Sequence, residues 1–144
     1  KEEPVVIEYN CRMGDPETEV VLPRLQNDLL SLFRGVASKS LHEIVIRTDP
    51  RVAATMVAVS GGYPGSYEKG FPIGGLDNGT RDSLIFHSGT KEENGKVVTN
   101  GGRVLCVTAY ADSLPDAIQR SVNVLRKIDF DGMYFRKDIG YEFV

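Results

Sequence analysis

Apolar positions in the first fifty residues follow two different periods. Residues 5–9 form a nearly continuous β-branched run, which predicts a strand buried on at least one face. Over residues 22–36 apolar side chains recur at intervals of three and four, which predicts an amphipathic helix. A helical pattern opens just before it at residues 17–19, and Pro23 marks a break or a first turn. A short helical segment over residues 41–44 ends this part.

Beyond residue 50 the pattern changes to short extended runs separated by turns. Predicted strands cover residues 53–60, 83–87, 97–99, 103–110 and 133–135. The glycine-rich stretch 61–65 predicts a loop. Asn94-Gly95 and Asn100-Gly101-Gly102 suit the positive φ angles of tight hairpins, so the strands are expected to form an antiparallel meander.

One further helix is predicted between the last two strands. Ser113 is a suitable N-cap, and the helix is expected to run to about Lys127. Its apolar stripe contains Ala117, Val122 and Leu125 and would face water unless it packed on the sheet. The predicted fold class is therefore α+β, with an antiparallel or mixed sheet from about Arg51 onward and this helix on one face.

Composition narrows the classes of protein that fit. With 144 residues and 41% hydrophobic content the chain can bury a core, and its net charge of −3 comes from scattered charges that do not indicate a nucleic-acid partner. The longest apolar run, residues 52–59, is too short to span a membrane, and no leader pattern opens the chain. The expectation is a soluble, cytoplasmic protein. Cys11 and Cys106 are expected to be reduced, structural thiols.

Candidate chemistry is concentrated in residues 8–17. Glu8 and Asn10 are two apart on an extended chain, so their side chains leave the same face and offer two oxygen ligands to a hard cation such as Mg²⁺. The Arg12 guanidinium can donate two hydrogen bonds to an anionic group, and Gly14 permits close approach of the backbone to a ligand. The alternative interpretation is structural: a half-buried strand with polar residues on its solvent-exposed face, followed by a surface loop, would contain the same residues without binding a ligand. Spacing leaves both interpretations open.

The same segment resembles a known family. Glu8-Tyr9-Asn10 is similar to the acidic-x-Asn end of an ATP-grasp domain, and residues 12–19 resemble the signature of the phosphoribosylamine–glycine ligases. The resemblance continues in the family's order through Gly61-Gly62-Tyr63-Pro64, Lys69-Gly70, and residues 86–91, 99–105 and 134–140. It covers essentially the whole chain.

The resemblance implies two parts and one reaction. Residues 1–48 would be the end of an ATP-grasp domain, with its last strand and helix, and residues 49–144 the phosphoribosylglycinamide synthetase C-terminal domain. The implied enzyme is an ATP-dependent ligase of purine biosynthesis that joins glycine to 5-phosphoribosylamine through a glycyl phosphate. Glu8 and Asn10 would be ligands of Mg²⁺ or Mn²⁺, with ATP as co-substrate. Arg12 and Asp15 would be catalytic residues that orient substrate.

Several questions stay open at this level. Five basic residues either converge on a sugar phosphate or are solvent-exposed without binding one. They are Lys69, Lys91, Arg103, Arg136 and Lys137. His87 and His42 are interpreted as structural or surface residues, and Ser88 lacks the motif of a nucleophile. The oligomeric state is undetermined.

The sequence lacks parts that the implied reaction needs. An ATP-grasp site requires a glycine-rich loop and a lysine over the phosphates, and neither is found before residue 5. The chain alone is therefore expected to be inactive, with residues 5–9 disordered, repacked or paired between molecules. Two alternatives are a non-catalytic binding module and another ATP-grasp carboxylate–amine ligase, and the signature at residues 12–19 argues against the second.

Overall fold

The computed structural model describes residues 5–143, so the ends of the two predicted parts, residues 1–4 and 144, lie outside the described residues. Three α-helices and six strands are seen in this range. The helices are α1 (Glu17–Val21), α2 (Leu29–Ala37) and α3 (Leu114–Leu125). The strands are β1 (Val52–Val59), β2 (Ser83–His87), β3 (Thr90–Glu93), β4 (Lys96–Thr99), β5 (Arg103–Ala111) and β6 (Tyr134–Phe135).

The main sheet is antiparallel, with the strand order β2-β5-β1-β6. β1 pairs with β5 along its whole length, from Val52 opposite Ala111 to Val59 opposite Arg103. β5 lies between two neighbours, and every residue after Arg103 in it is buried. The α+β class and the antiparallel sheet are therefore confirmed.

α3 covers one face of this sheet, as its apolar stripe predicts. The core between them contains Met56, Val107 and Leu125, each at most 1% exposed. Ser113 caps the helix by accepting a hydrogen bond from the Asp116 N–H at 3.3 Å. Buried Ser121 donates from Oγ to the Ala54 carbonyl oxygen at 3.0 Å, which ties the helix to β1. The predicted helix on one sheet face is confirmed.

The predicted meander is wrong between β2 and β5. Asn94 and Gly95 do turn the β3–β4 hairpin, with φ angles of 52° and 73°. This hairpin forms a separate two-stranded sheet, while β2 pairs directly with β5. Gly89 and Gly101 lie so close that a Cβ on either would overlap the other's backbone. The residues that end the hairpin are thus packed together, and the apolar β5 takes its neighbours from β1 and β2.

The predicted strand at residues 5–9 is also absent. Residues 5–10 form no regular secondary structure, and within residues 5–143 no strand pairs with them. Ile7 is 95% exposed. A strand needs neighbours to satisfy its backbone hydrogen-bonding groups, and the described part of the chain supplies none here.

Residues 22–36 do not form a single helix. Pro23 lies in a 3₁₀ turn, Leu22–Arg24, and Leu25 is extended and bridges to Thr48. Asp28 then starts α2, because its carboxylate accepts a hydrogen bond from the Ser31 N–H at 2.7 Å. None of the helices in residues 5–143 is both long and apolar enough to cross a membrane.

Arg51, which directly precedes β1, links Asp49 to Asp82 at the start of β2. Its guanidinium donates to Asp49 and to Asp82, both at 2.7 Å, and lies 4.9 Å from the centre of the Tyr110 ring. The hydrogen bonds from Arg51 lower the pKa of Asp49 to about 2, from 3.8, and also lower the pKa of Asp82. Because the folded pKa lies below the unfolded value, this stabilisation is present above about pH 4 and is lost as the pH falls toward about 2.

We expect the free energy of unfolding to fall across this acid range, and Asp49→Asn to flatten the fall. The reason is that the variant no longer loses a charged partner of Arg51 on protonation. Urea unfolding between about pH 5 and pH 2 measures the effect. Asp112→Asn, at an exposed position, is the control and should keep the wild-type slope. An unchanged slope in Asp49→Asn would contradict the assignment.

Candidate active site

α1 lies on the sheet face opposite α3, and two threonines, buried Thr108 and half-buried Thr55, connect α1 to this face. Thr108 donates from Oγ1 to the Glu19 carbonyl oxygen at 2.8 Å. Thr55 Oγ1 lies 2.6 Å from Thr108 Oγ1. The one hydroxyl proton of Thr108 is donated to Glu19, so Thr55 is the donor in the Thr55–Thr108 hydrogen bond. These bonds hold α1 against the second half of β5.

Asp15 and Arg103 meet although 88 residues separate them. The Arg103 Nη2 atom lies 3.1 Å from Asp15 Oδ2, and Nη1 donates to the Asp15 carbonyl oxygen at 3.3 Å. The two side chains are 41% and 47% exposed, so the ion pair lies at an open surface. An exposed pair of this kind adds little to stability and is free to rearrange around a ligand.

The ion pair borders a cleft of about 470 Å³, which we call the Arg103 cleft. Its lining residues are Asp15, Glu19, Tyr63, His87, Ser88, Gly89, Gly102 and Arg103. Gly102 is required here, because a Cβ on it would overlap the Tyr63 ring. His87 Nδ1 lies 3.0 Å from Thr90 Oγ1, so its ring has a partner within the protein. The cleft combines a cation, two carboxylates and small hydrogen-bonding groups.

Of the two residues predicted to orient substrate, only Asp15 lines this cleft. Arg12 is exposed and donates to the neighbouring Met13 carbonyl oxygen at 3.3 Å. The Arg12 and Asp15 side chains therefore do not line this cleft together. Their catalytic roles stay predictions.

Glu8 and Asn10 are both exposed, and their side chains lie together. The Asn10 Nδ2 atom donates to Glu8 Oε1 at 3.2 Å. A carboxylate and an amide oxygen are a suitable donor set for Mg²⁺ or Mn²⁺, provided that phosphate and water complete the shell. Asn10 would have to turn its amide oxygen toward the ion. The residues fit a divalent cation in their chemistry, and the metal assignment stays a prediction.

Another group with metal-ligand atoms is formed by Asp15, Glu19 and Cys106, within 4.8 Å of one another. Cys106 is fully buried, and burial raises the pKa of its thiol, which keeps it protonated. Asp15 is already paired with Arg103. A protonated thiol beside an occupied carboxylate does not suit a hard cation.

Three of the five bases already have partners within the protein. Lys69 lies over the Tyr67 ring at 5.8 Å, and Lys91 pairs with Glu93 at 3.1 Å. Arg136 pairs with Asp138 at 2.7 Å. Arg103 and Arg136 do share the border of a second cavity, a groove of about 260 Å³ next to the cleft. Arg103 is the one of the five that lines both cavities.

Sequence reasoning overlooked Glu19 as a site residue. Its Oε2 atom is buried and has no hydrogen-bond partner among the described residues. The available signal was its position four residues after Asp15, a spacing that brings side chains together at a helix. Nothing in the local pattern shows that Cys106 of a distant strand would lie beside it.

Comparisons with known proteins give a consistent result. Residues 53–142 match the family described as phosphoribosylglycinamide synthetase, C domain. Over 139 residues the chain is 45% identical to the phosphoribosylamine–glycine ligase of Vibrio vulnificus strain YJ016 and 44% identical to that of Pseudomonas putida KT2440. Each match covers 96% of this chain and 32% of the relative.

A solved structure agrees with these relatives. The crystal structure of the phosphoribosylamine–glycine ligase from Thermotoga maritima matches with a TM-score of 0.70 and 31% identity. The match covers 94% of this chain and 33% of that one. The chain thus spans about a third of the length of the relatives that it matches.

Proposed function

Because the chain belongs to the phosphoribosylglycinamide synthetase family, with the C domain at residues 53–142, we propose that it is part of a phosphoribosylamine–glycine ligase of purine biosynthesis. In the proposed reaction ATP phosphorylates the carboxylate of glycine. The amine of 5-phosphoribosylamine then displaces phosphate from the glycyl phosphate, and an amide forms. The observation that carries the proposal is identity of 45% along 96% of the chain.

The metal part of the proposal rests on Glu8 and Asn10. A bound Mg²⁺ or Mn²⁺ would neutralise the phosphates of ATP, which is a co-substrate. The adjacency of the two side chains, at 3.2 Å, supports a common role. In this scheme Glu8 contributes a negative charge and Asn10 a neutral oxygen, and the phosphates fill the remaining positions.

Asp15 would act at the Arg103 cleft. Its carboxylate contacts the Arg103 guanidinium at 3.1 Å, and the other N–H groups of the guanidinium can donate to an anionic group. The ion pair also joins the segment at residues 12–19 to the C domain. Arg12, which lies outside the cleft, would orient substrate from the open side of the same segment.

The boundary near residue 48 is supported by an exposed apolar face on α2. Leu30 is 58% exposed, Phe33 60% and Val36 58%. Val45 and Ile46 add two more exposed apolar side chains. Contiguous apolar surface of this kind usually marks an interaction site. We assign residues 1–48 to the end of an ATP-grasp domain, whose other parts would cover this face.

The alternative of a non-catalytic binding module predicts a different outcome in one experiment. In the proposed ligase this chain is joined to the additional part that the matched relatives contain, and we call the two together the intact protein. Co-expressing the two parts separately should restore ATP- and glycine-dependent formation of phosphoribosylglycinamide. Each part alone should be inactive. An intact protein without this activity would overturn the proposed function, and another amine acceptor would favour a different carboxylate–amine ligase.

A pair of variants tests the docking face in the same experiment. Leu30→Asp combined with Phe33→Asp should abolish the restored activity, because two buried charges without partners would cost several kcal/mol at the interface. Phe143→Asp, at a position 77% exposed near the other end of the chain, is the control and should leave restoration intact. Equal loss in both would show general damage rather than a lost interface.

A further inference from the structure

The chain contains three Asn-Gly pairs, Asn78-Gly79, Asn94-Gly95 and Asn100-Gly101. Glycine has no Cβ, so its backbone nitrogen can closely approach the side-chain amide of the asparagine that precedes it. This approach is the first step of deamidation, in which the asparagine side chain loses its amide nitrogen as ammonia. By residue type the three pairs are equally suited to this reaction. Their surroundings in the folded chain differ.

Two of the pairs are held by hydrogen bonds and packing. Asn78 ends a 3₁₀ helix, and its Nδ2 atom donates to the Gly75 carbonyl oxygen at 2.8 Å. The Asn100 backbone nitrogen donates to the Gly89 carbonyl oxygen at 2.7 Å. A Cβ on Gly101 would lie only 2.9 Å from the Gly89 Cα atom, so the two backbones are in close contact. The backbone movement that deamidation needs would break these contacts.

The third pair lies at the open tip of the β3–β4 hairpin. Asn94 and Gly95 are both exposed, and a Cβ on Gly95 would meet no atom of the described residues within 4 Å. The base of the hairpin is held, because the Ile73 backbone nitrogen donates to the Val97 carbonyl oxygen at 2.9 Å. A two-stranded hairpin is only marginally stable by itself, so its tip opens at a low cost in free energy.

We propose that Asn94 is the preferred deamidation site of this chain, independently of the proposed function. The backbone nitrogen of Gly95 attacks the side-chain carbonyl carbon of Asn94, and the bond from that carbon to Nδ2 breaks. Nδ2 leaves as ammonia with the proton of the Gly95 N–H group, and a five-membered imide ring remains. Water then opens the ring at either carbonyl group, so that aspartate or isoaspartate forms.

The two products have different effects on the hairpin. Asp-Gly suits the same positive-φ turn as Asn-Gly, so the aspartate form keeps the hairpin. In isoaspartate the main chain runs through the side-chain carbonyl group, which adds one methylene group to a two-residue turn. Because the length of the turn fixes the register of a hairpin, the closing pair of Glu93 and Lys96 is then displaced. The fold thus selects one turn for a modification that loosens it.

Peptide mapping by mass spectrometry after incubation of the folded 144-residue chain at mildly alkaline pH tests the proposal. Deamidation at Asn94 should be at least about tenfold faster than at Asn78 or Asn100, because those two must first break the hydrogen bonds that hold them. In concentrated urea the three rates should become similar. Similar rates in the folded chain, or a faster rate at either of the other sites, would overturn the proposal. A preference for Asn94 that persists in urea would also overturn it, because the local sequence would then be the cause.

Two variants at the same position provide matched controls. Asn94→Gly suits the positive φ angle and should keep the hairpin while removing the preferred source of ammonia. Ammonia release from this variant at the wild-type rate would overturn the site. Amide hydrogen exchange in β3 and β4 should be faster in the purified isoaspartate form than in the unmodified chain, and unchanged in freshly purified Asn94→Asp. Equal exchange in the isoaspartate form and the unmodified chain would overturn the effect on the hairpin.

Discussion

Replacing Glu8 by glutamine in the intact ligase is expected to reduce kcat at least about a hundredfold, because even partners of metal ligands cost about 10- to 100-fold when removed. The substitution removes the one negative charge that the proposed pair offers to Mg²⁺. Glu8 is exposed, and its carboxylate accepts a hydrogen bond from the side chain of exposed Asn10. The fold should therefore be unaffected. Steady-state turnover at saturating ATP and glycine measures the loss.

A shift in metal requirement distinguishes this cause from general damage. Turnover of Glu8→Gln should need a higher Mg²⁺ concentration than wild type, since a weakened site fills later. Glu43→Gln, also an exposed carboxylate before residue 48, is the control and should behave as wild type. Wild-type turnover by Glu8→Gln at low Mg²⁺ would remove Glu8 from the metal site.

The 144-residue chain alone is expected to bind ATP more weakly than about 1 mM, which corresponds to about 4 kcal/mol of binding free energy. Nucleotide affinity comes from phosphate contacts, metal bridging and burial of the adenine together. This chain offers part of the metal contribution, and Glu8 and Asn10 lie on an exposed segment. Two ligands without the other contacts hold Mg²⁺ weakly.

Calorimetric titration with ATP and Mg²⁺ tests this expectation. The intact protein is the positive control and should bind ATP at least about a hundredfold more tightly, a difference of about 2.7 kcal/mol. A micromolar dissociation constant for the isolated chain would show that a nucleotide site lies within these residues. It would also favour the binding-module alternative over the ligase.

Local features were predictable from the sequence because neighbours along the chain determine them. The Ser113 cap and the apolar stripe of α3 predict a helix that packs on one sheet face, and the structure has it. Asn94-Gly95 predicts a hairpin turn, because the pair readily takes positive φ angles. The family, too, was recognisable from short motifs in order, and the comparisons confirm it.

The strand order was not predictable in this way. A meander and the observed order β2-β5-β1-β6 use the same local strands and turns. The choice depends on which strand must be buried on both faces, and that strand is β5. The single predicted helix over residues 22–36 failed for a related reason, since extended Leu25 pairs with Thr48 and Asp28 caps a new helix.

Some residues of the candidate site could also be named from the sequence, whereas others come together only in the folded structure. Glu8, Asn10 and Asp15 were named from residue type and spacing, with the family resemblance giving them roles. The meeting of Asp15 with Arg103, and the unpaired oxygen of Glu19 beside buried Cys106, depend on how α1 lies on β5. Spacing along the chain carries no information about contacts across 88 residues. Such contacts arise only when the whole sheet buries its apolar residues.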